Sequence, residues 1–471
     1  MNRVFLSLCI LISQFALAQD QKFNLKQSIE TALKNNISVR QSHLNVRAAE
    51  INYKQSKQNL FPDLNAFVSQ GINQGRSIDP FTNSYVNQNI GYSNYGVSTN
   101  VIFFNGMRLR NIIRQTGYAY DASNMELQQA KDELTLNVII TYLQVLNNED
   151  LVEINKQQVI VAQKQVERLE VLNKEGAINP PLLFDLQGQL KDNELNVLSA
   201  QNTLESSKLF LAQLMNVPYS NTIQLERLGM EDAITQPAAT VNDVYQKAME
   251  QLAGVKASGL RTKSAEAGVK AAKSELFPVL SFNGNLNTNY SSIASRDVFL
   301  NSTDVTTTDY VIVNGNPVPV VSKQNNFASE KIGYGSQLNN NVFSNFGVTL
   351  NVPIFNSFQT RNRIKLAQMN LQNFVLLEEN TITELRQQVE QAHMNMTNAW
   401  SRYKVLLEQV ESFKNSFRAA EVRFNAGLGT SVDYLIAKNN LDRANQNLIT
   451  AKYDYLLRKK LIDFYNGGLS W

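Results

Sequence analysis

GVSTNVIFFNGMRLRNIIRQT, at residues 96–116, returns as GVTLNVPIFNSFQTRNRIKLA at residues 347–367, an offset of 251 residues. The same offset relates NPPLLFDLQGQL (179–190) to TSVDYLIAKNNL (430–441). KQNLFP (57–62) matches KSELFP (273–278) at an offset of 216, so the second copy is about 35 residues longer. A period near 250 residues far exceeds the unit of a solenoid. The sequence therefore predicts a duplicated domain, with repeats at 19–217 and 241–471 and an inter-repeat segment at 218–240.

Each repeat has the same predicted order of elements, which makes the expected fold class mixed α/β. A helix comes first and ends at Leu-Phe-Pro, where Pro62 or Pro278 stops it, because proline disrupts a helix interior. Two strands follow in each repeat, at 62–72 and 92–104 and at 278–290 and 343–355. A long helical hairpin completes each repeat, at 107–215 and at 357–465.

The composition argues against several classes of protein. Lys and Arg total 44 against 41 Asp and Glu, a net charge of +3, which is too balanced for the basic face of a nucleic-acid binder. Two histidines and one cysteine argue against a His/Cys zinc site or a disulfide scaffold. The sequence has no HExxH, GxSxG or P-loop motif. We expect no cofactor and no metal site, and an exported enzyme is the least favoured class.

The N-terminus has the pattern of an export signal. Met1-Asn2-Arg3 is a short basic start, residues 4–16 are mostly apolar, and Ala16-Leu17-Ala18 fits a cleavage site. This pattern predicts a secretory signal peptide at 1–18, cleaved after Ala18; a buried N-terminal helix is the alternative. The apolar core is too short for a permanent anchor, and no other segment offers about 20 consecutive apolar residues. Gln19 would begin the mature chain, so no lipid on an N-terminal cysteine is expected.

The predicted strands alternate between apolar and uncharged polar residues. In 280–290 the even positions include Leu280, Phe282 and Leu286, whereas Ser281 and four asparagines take the odd positions. A half-buried soluble sheet has this period of two. A transmembrane barrel has it too, with the apolar face toward lipid and the polar face toward water. The export signal and the near absence of charge in the strands favour the barrel.

Four strands per chain are too few to close a barrel, because bacterial barrels have about eight or more. An open sheet edge in lipid costs several kcal/mol for each unpaired backbone group. We therefore expect the barrel to be shared between chains. A dimer would give eight strands and an interior filled by side chains, whereas a trimer would give twelve and leave a lumen. The trimer is favoured for a pore.

The long helices predict coiled-coil rods. About 68 residues at 1.5 Å each give a length on the order of 100 Å, and apolar residues recur at three- and four-residue steps through 127–172. Such a rod must pack on neighbours along its length, so hairpins from three chains could form a tube continuous with the barrel. The insertion lies in a loop at 291–342, where Asn314-Gly315 could turn a small hairpin. Barrel topology would place this loop outside the cell.

Taken together, these features resemble the outer-membrane efflux proteins of the TolC type. The resemblance covers nearly the whole mature chain and is carried by NLKQSIETALKNN, LFP before each first strand, NxxxFN from Asn100 and from Asn351, LAQLMNVP and RFNAGLGTSVDYLIAKNNL. It implies a homotrimer with a twelve-stranded transmembrane β-barrel, shared by the chains, in the Gram-negative outer membrane. This barrel would continue into a periplasmic α-helical coiled-coil barrel. The resemblance further implies docking on a periplasmic adaptor (membrane fusion) protein and an inner-membrane pump, proton-driven or ABC, with no cofactor of its own.

The resemblance also assigns roles at the two helical turns. Asp433 is the principal candidate for a periplasmic entrance gate, because related channels have aspartate rings there, although Ile436 stands where they often have a second aspartate. The alternative role is structural, since Thr430 and Asp433 fit a T-x-x-D capping box. Asp185, at the equivalent place in the first repeat, is a weaker candidate. The expected adaptor contacts, whose glycines are also suited to capping helices, are Gly176, Ala177, Gly427 and Leu428.

The favoured function is passive conduction of substrate from an inner-membrane pump to the outside. A duct for type I protein secretion would have the same architecture, so the cargo (drug, metal or protein), the pump and the role of loop 291–342 stay open. A structural trimeric surface protein is disfavoured, because such anchors place all four strands at the C-terminus. The strand pairs of this chain are internal and duplicated.

Overall fold

A computed structural model describes residues 22–79, 82–176, 178, 180–220, 223–227, 235 and 239–467. The predicted signal peptide at 1–18, with its cleavage after Ala18, lies outside these residues, as does Ala177. The inter-repeat segment 218–240 is described only in part. Across the described residues, no helix has an apolar stretch long enough to cross a lipid bilayer.

Within its described part the first repeat contains four helices and five strands, and a sixth strand lies in the inter-repeat segment. Strand β1 (Lys22–Phe23) precedes helices α1 (Leu25–Asn35) and α2 (Ile37–Gln58). The strands that follow are β2 (Asp63–Asn73), β3 (Arg76–Ile78), β4 (Tyr85–Asn87) and β5 (Ile90–Phe104). The helical hairpin and the short strand after it are α3 (Arg108–Lys174), α4 (Pro180–Met215) and β6 (Gln224–Leu225).

The second repeat begins with α5 (Val241–Gln251), α6 (Ala253–Lys273) and a 3₁₀ turn at Ser274–Leu276. Its strands and the short helix between them are β7 (Val279–Ser291), β8 (Ser295–Val313), β9 (Asn316–Lys331), α7 (Tyr334–Asn340) and β10 (Phe343–Asn351). The helical hairpin is α8 (Gln359–Asn425) and α9 (Ser431–Tyr465).

The four strands that the sequence predicts, β2, β5, β7 and β10, lie within about two residues of their predicted bounds, with one exception. Strand β10 ends at Asn351, whereas the alternation predicts a strand to 355. Pro353 has no N–H to donate to a ladder and restricts the residue before it. The chain therefore leaves the sheet before Pro353.

The first helical segment of each repeat is interrupted at a single residue, where the sequence predicts one continuous helix. Asn36 (φ −62°, ψ 127°) separates α1 from α2, and Leu252 (φ −65°, ψ 128°) separates α5 from α6. Residues 36 and 252 are related by the offset of 216 residues. The break therefore occurs at the equivalent position of both repeats.

The strands β10, β7, β5 and β2 form one antiparallel sheet, in that order. In the β2–β5 hairpin Asp63 pairs with Asn100, and in the β7–β10 hairpin Val279 pairs with Asn351. Adding 216 to the first residue and 251 to the second converts one pair into the other. The two hairpins thus have the same register, and the β5–β7 pairing joins the two repeats.

The insertion in the second repeat forms a separate two-stranded hairpin from β8 and β9. It turns at Asn314 (φ 50°) and Gly315 (φ 83°), and a type I′ turn requires positive φ at both central residues. The hairpin occupies most of 291–342 and is much longer than the small hairpin predicted at this turn.

Two compact units divide the chain differently from the two repeats. The helical unit comprises residues up to 53, 115–266 and 369 onward, and the sheet unit comprises 54–114 and 267–368. Each unit therefore combines segments of both repeats. The core of the helical unit repeats as well: Val138 and Leu211 are buried in one cluster, and Val389 and Ile462 in a second.

Tyr142 anchors the inter-repeat segment inside the helical unit. Strand β1 pairs in parallel with β6. The fully buried Tyr142 hydroxyl lies 3.1 Å from the carbonyl oxygen of Phe23 and 2.6 Å from that of Glu226. Burial raises the pKa of Tyr142 to about 12, so the hydroxyl remains a donor at neutral pH.

Candidate functional site

One face of the four-stranded sheet is apolar and exposed. Strand β7 contributes Phe282 and Leu286 to it, opposite Val101 and Val97 of β5. The face continues onto both edge strands, where the following residues are 61–76% exposed: Leu64, Val68 and Ile72 of β2, and Phe346, Val348 and Leu350 of β10. So large an apolar surface marks a face that contacts lipid or protein.

The opposite face is polar and almost free of charge. Strand β7 places Asn283, Asn285, Asn287 and Asn289 on it, and these residues pair with Asn100, Ser98, Gly96 and Asn94 of β5. Asp63 lies at one end, where its carboxylate accepts the Asn100 N–H at 2.6 Å. This face offers water a surface of neutral amides and hydroxyls.

Aromatic side chains lie at both ends of the apolar face. Tyr290 contacts Tyr334 at one end, with ring centroids 4.5 Å apart. At the other end Phe282 lies 6.3 Å from Phe346 and 6.1 Å from Phe103. At roughly 3.4 Å per residue, Phe282 and Tyr290 are about 27 Å apart along β7. An outer-membrane barrel has an apolar band of about 25 Å between two aromatic girdles.

The long helices α3 and α8 each end in a glycine cap at a helical turn. Gly176 (φ 72°) and Gly427 (φ 71°) both have left-handed backbone. The Gly427 N–H donates to the Phe424 carbonyl at 3.1 Å, and the Leu428 N–H donates to the Arg423 carbonyl at 2.9 Å, which is the Schellman pattern. Gly176 makes the matching bond to Asn173 at 3.0 Å. The glycines therefore have a structural role whether or not an adaptor touches them.

Asp433 takes part in the predicted capping of α9. The Thr430 hydroxyl accepts the Asp433 N–H at 3.1 Å and donates to the Asp433 carboxylate at 2.7 Å. Thr240 and Asp243 repeat this arrangement at the start of α5, at 3.2 and 2.7 Å. Capping alone thus accounts for the position of Asp433, and its carboxylate is exposed to solvent.

Asp185 does not occupy the place equivalent to Asp433. The offset of 251 residues pairs Asp433 with Leu182, and Asp185 with Ile436. The prediction that Asp185 is equivalent to Asp433 is therefore wrong; it relied on the fact that both aspartates follow a helical turn. Asp185 lies one helical turn further along its helix, about 4.5 Å. The exposed Asp185 carboxylate therefore stands where Ile436 replaces an acid in the second repeat.

Exposed apolar side chains surround these turns, a feature that the sequence analysis missed. Leu428 is 76% exposed, and Phe184, Val432 and Ile436 are each more than half exposed. The spacing of Val432 and Ile436 puts them on one side of α9, and that spacing was the available signal. Apolar residues presented in this way favour contact with another protein.

The turns rest on rigid packing beneath them. Tyr434 stacks on Phe424 at 4.9 Å and lies 5.5 Å from Phe417, and burial raises its pKa to about 12. Arg168 donates to the Asn425 side chain and so links the two helical hairpins. The α3–α4 hairpin has its own buried cluster, formed by Ala162, Val166, Leu169, Leu183, Leu186 and Leu190.

The family model for outer membrane efflux proteins matches residues 28–217 and 244–461. The chain belongs to the outer membrane efflux protein family. The predicted resemblance is confirmed, and the chain is an efflux channel of the outer membrane.

This efflux protein is similar to several characterised relatives. It is 22% identical over 456 residues to the outer membrane protein TolC of Escherichia coli (strain K12), covering 96% of this chain and 83% of TolC. The outer membrane protein VceC of Vibrio cholerae has a TM-score of 0.75 at 16% identity, covering 95% of this chain and 97% of VceC. The CmeC outer membrane channel of Campylobacter jejuni has a TM-score of 0.72 at 16% identity, covering 94% and 86%. These likenesses show the same largely helical, mixed α/β fold.

Metal chemistry finds no support in the part of the efflux protein that the structure describes. No group of His, Cys, Asp and Glu there is arranged to hold an ion. The candidate functional surfaces are the two faces of the sheet and the two helical turns.

Proposed function

We propose that this efflux protein is a homotrimeric duct whose three chains share a twelve-stranded transmembrane β-barrel. The observation that carries the proposal is the two-faced sheet. Its apolar face suits lipid, its asparagine face suits a water-filled lumen, and β2 and β10 lie at its two edges. Unpaired edges in lipid are costly. Three chains remove every edge and leave a lumen, whereas eight strands from two chains would fill the interior.

The barrel continues, in this proposal, into a periplasmic α-helical coiled-coil barrel built from α3, α4, α8 and α9. The leader at 1–18, cleaved after Ala18, directs export to the outer membrane. The repeats at 19–217 and 241–471 each supply one strand pair and one helical hairpin. The segment at 218–240 forms an equatorial band, and the Tyr142 contacts to Phe23 and Glu226 support its attachment to the helices.

Asp433 and Asp185 form the periplasmic entrance gate. In a trimer they would give two staggered rings of three carboxylates, about one helical turn apart. Both carboxylates are exposed in the single chain, as ring members must be before cations bind. Asp433 also caps α9, so one side chain has both a structural and an electrostatic role.

The helical turns dock on a periplasmic adaptor through Gly176, Ala177, Gly427 and Leu428. The exposed Leu428, Phe184, Val432 and Ile436 support this assignment, because apolar contacts give such an interface its stability. An inner-membrane pump, proton-driven or ABC, supplies the energy for transport. The chain itself conducts passively, and neither a cofactor nor nucleic acid takes part.

Single-channel recording in planar lipid bilayers tests the duct directly. We expect uniform conductance steps from the purified protein and block by divalent cations added on the side of the helical turns. Protein that inserts into the bilayer but never conducts, including after neutralisation of Asp433 and Asp185, would contradict the proposal.

A further inference from the structure

The two repeats meet inside one chain through a close contact in the sheet unit. The Leu-Phe-Pro of the second repeat packs on the NxxxFN segment of the first. A Cβ added to Gly106 (φ +63°) would lie 2.6 Å from the Phe277 Cβ and 2.7 Å from the Ser274 carbonyl oxygen. Asn111 then donates to the Ser274 hydroxyl at 3.2 Å. This contact accompanies the β5–β7 pairing.

The same contact has a second potential copy, formed by the Leu-Phe-Pro of the first repeat and the NxxxFN segment of the second. Both of these segments are exposed in the single chain. Phe61 in the Leu-Phe-Pro of the first repeat is 71% exposed. In the NxxxFN segment of the second repeat, Ile354 and Phe355 are 94% and 73% exposed. An open cavity of about 160 Å³ lies there, lined by the apolar Leu276, Pro353, Ile354, Phe355 and Phe358 and by the polar Glu275, Asn356, Thr360 and Arg361. The edge strand β2 therefore begins beside the exposed Phe61, and the edge strand β10 ends beside the exposed Ile354 and Phe355. One chain cannot bring these two edges together.

We propose that a second copy of the chain completes this contact: Phe61 of one chain fills the cavity lined by Ile354 and Phe355 of its neighbour, and β2 of the first pairs with β10 of the second. The inference rests on the homotrimeric duct proposed above and adds to it the residues and the register of the joint. Neighbouring strands in the sheet are antiparallel throughout. Because β2 and β10 run in opposite directions, the joint is antiparallel as well.

The register of the joint follows from the repeat. Inside the chain Thr99 of β5 pairs with Gly284 of β7. The offset of 251 converts Thr99 of β5 into Leu350 of β10, and the offset of 216 converts Gly284 of β7 into Val68 of β2. The equivalent pair is therefore Leu350 of one chain opposite Val68 of the next. The same operation puts Phe346 opposite Ile72. All these residues belong to the apolar face, whereas a slip of one residue would turn one strand's apolar side chains toward the lumen.

The cavity suits a phenyl ring. Apolar cavities on the order of 150 Å³ hold a benzene molecule. The two copies of the contact differ at two positions: Ser357 (φ 54°) stands in place of Gly106, and Gln58 stands in place of Ser274. The Cβ of Ser357 closes the backbone approach that Phe277 uses, and so the ring of Phe61 enters the cavity beside it.

Disulfide cross-linking of the full-length protein tests the register. The proposed cleavage after Ala18 removes Cys9, the sole cysteine of the sequence, so no other thiol competes in the variant that carries Leu350→Cys with Val68→Cys. Opposed residues in an antiparallel pair have Cβ atoms about 4.5–5.5 Å apart, close enough for a disulfide to form with small adjustment. The matched control, Leu350→Cys with Ile72→Cys, is displaced by about 13 Å along the strand.

We expect dimers and trimers that a reductant abolishes on denaturing gels for the first variant, and single chains for the control. The native mass of the same samples distinguishes an error in the register from an error in the homotrimer. Three chains with a cross-link only in the control, or in neither variant, would overturn the register while the homotrimer stands. A native mass of one chain would overturn both.

Truncation of the aromatic side chain tests the cavity independently. We expect Phe61→Ala to lower the temperature at which the trimer dissociates in detergent by on the order of 5 °C or more. Phe61→Leu should restore part of the loss. Val97→Ala, on the lipid-facing side of the central strand β5 and away from both sheet edges, should leave the temperature unchanged. Dissociation of the Phe61→Ala trimer at the wild-type temperature would refute the contact, and if that variant is not assembled, Phe61→Leu and the cross-link decide.

Discussion

A single charge placed at the centre of the apolar face gives the sharpest prediction for the lipid boundary. Leu286 lies midway between Phe282 and Tyr290 on β7, is 48% exposed, and is paired on both sides, with Val97 and Ser344. An arginine at the bilayer midplane of a barrel costs about 2–4 kcal/mol. Three copies would cost roughly 6–12 kcal/mol per trimer, comparable with the whole stability of a typical domain. We therefore expect Leu286→Arg to prevent assembly in the outer membrane.

Asn285→Arg provides the matched control, because the adjacent side chain points to the opposite face. The added charge would stay in the aqueous lumen and should change stability by about 0.5 kcal/mol or less. The assay is the yield of trimer extracted from outer membranes, together with urea unfolding of the purified protein in lipid. Equal yields for the two variants, or a lower yield for Asn285→Arg, would refute the assignment of the faces. The control should also shift the conductance toward anions.

Three further outcomes test the helical turns and the helical unit. Gly427→Val places a Cβ at a left-handed position, at about 1–2 kcal/mol, and should abolish efflux in a drug-survival assay while trimer yield is retained; loss of the trimer would instead assign Gly427 to folding. Asp433→Asn keeps an oxygen for the Thr430 hydroxyl but removes the charge, so it should weaken divalent block at an unchanged melting temperature; unchanged block would remove the gate role. Burial raises the pKa of Asp463 against the opposing Lys460 and Lys459. Its folded state therefore binds the proton more tightly than the unfolded state, and its contribution to stability is largest at low pH and is lost as the pH rises through the raised pKa. Asp463→Asn should flatten the decline of urea-unfolding stability with pH above the ordinary aspartate pKa, and a pH profile identical to that of the wild type would contradict this.

The positions of β2, β5, β7 and β10 could be predicted from the sequence because each strand depends on a local pattern of alternation. The asparagines at alternate positions of β7 leave no ambiguity about its two faces. The prolines in Leu-Phe-Pro fix the end of the helix before each strand pair. The match of 96–116 to 347–367 then transfers each assignment from one repeat to the other.

The breaks at Asn36 and Leu252 could not be predicted in this way. Neither position has a glycine or proline; the only local signal is Asn36, whose side chain caps α2 by accepting the Ser38 N–H at 2.9 Å. The length of the β8–β9 hairpin was also missed, because its strands lack the clean alternation that marks the barrel strands. The early end of β10 was readable in principle, since Pro353 is visible in the sequence.

The sequence predicts the parts of the candidate site that depend on local spacing, but not the parts that depend on distant segments. Thr430 and Asp433 have the spacing of a cap, and the structure contains that cap. The level of Asp185 was misjudged because position after a turn was used in place of the repeat offset. The cavity beside Phe355 depends on side chains brought together from two distant segments, 275–276 and 353–361, so no local pattern could predict it.

The number of chains in the detergent-extracted complex tests the central claim most directly. Native mass spectrometry of the mature protein, with lipid retained, should give three chains per complex and no conducting species of smaller size. A conducting complex of a single chain would show that four strands suffice, and the account of a shared barrel would be wrong.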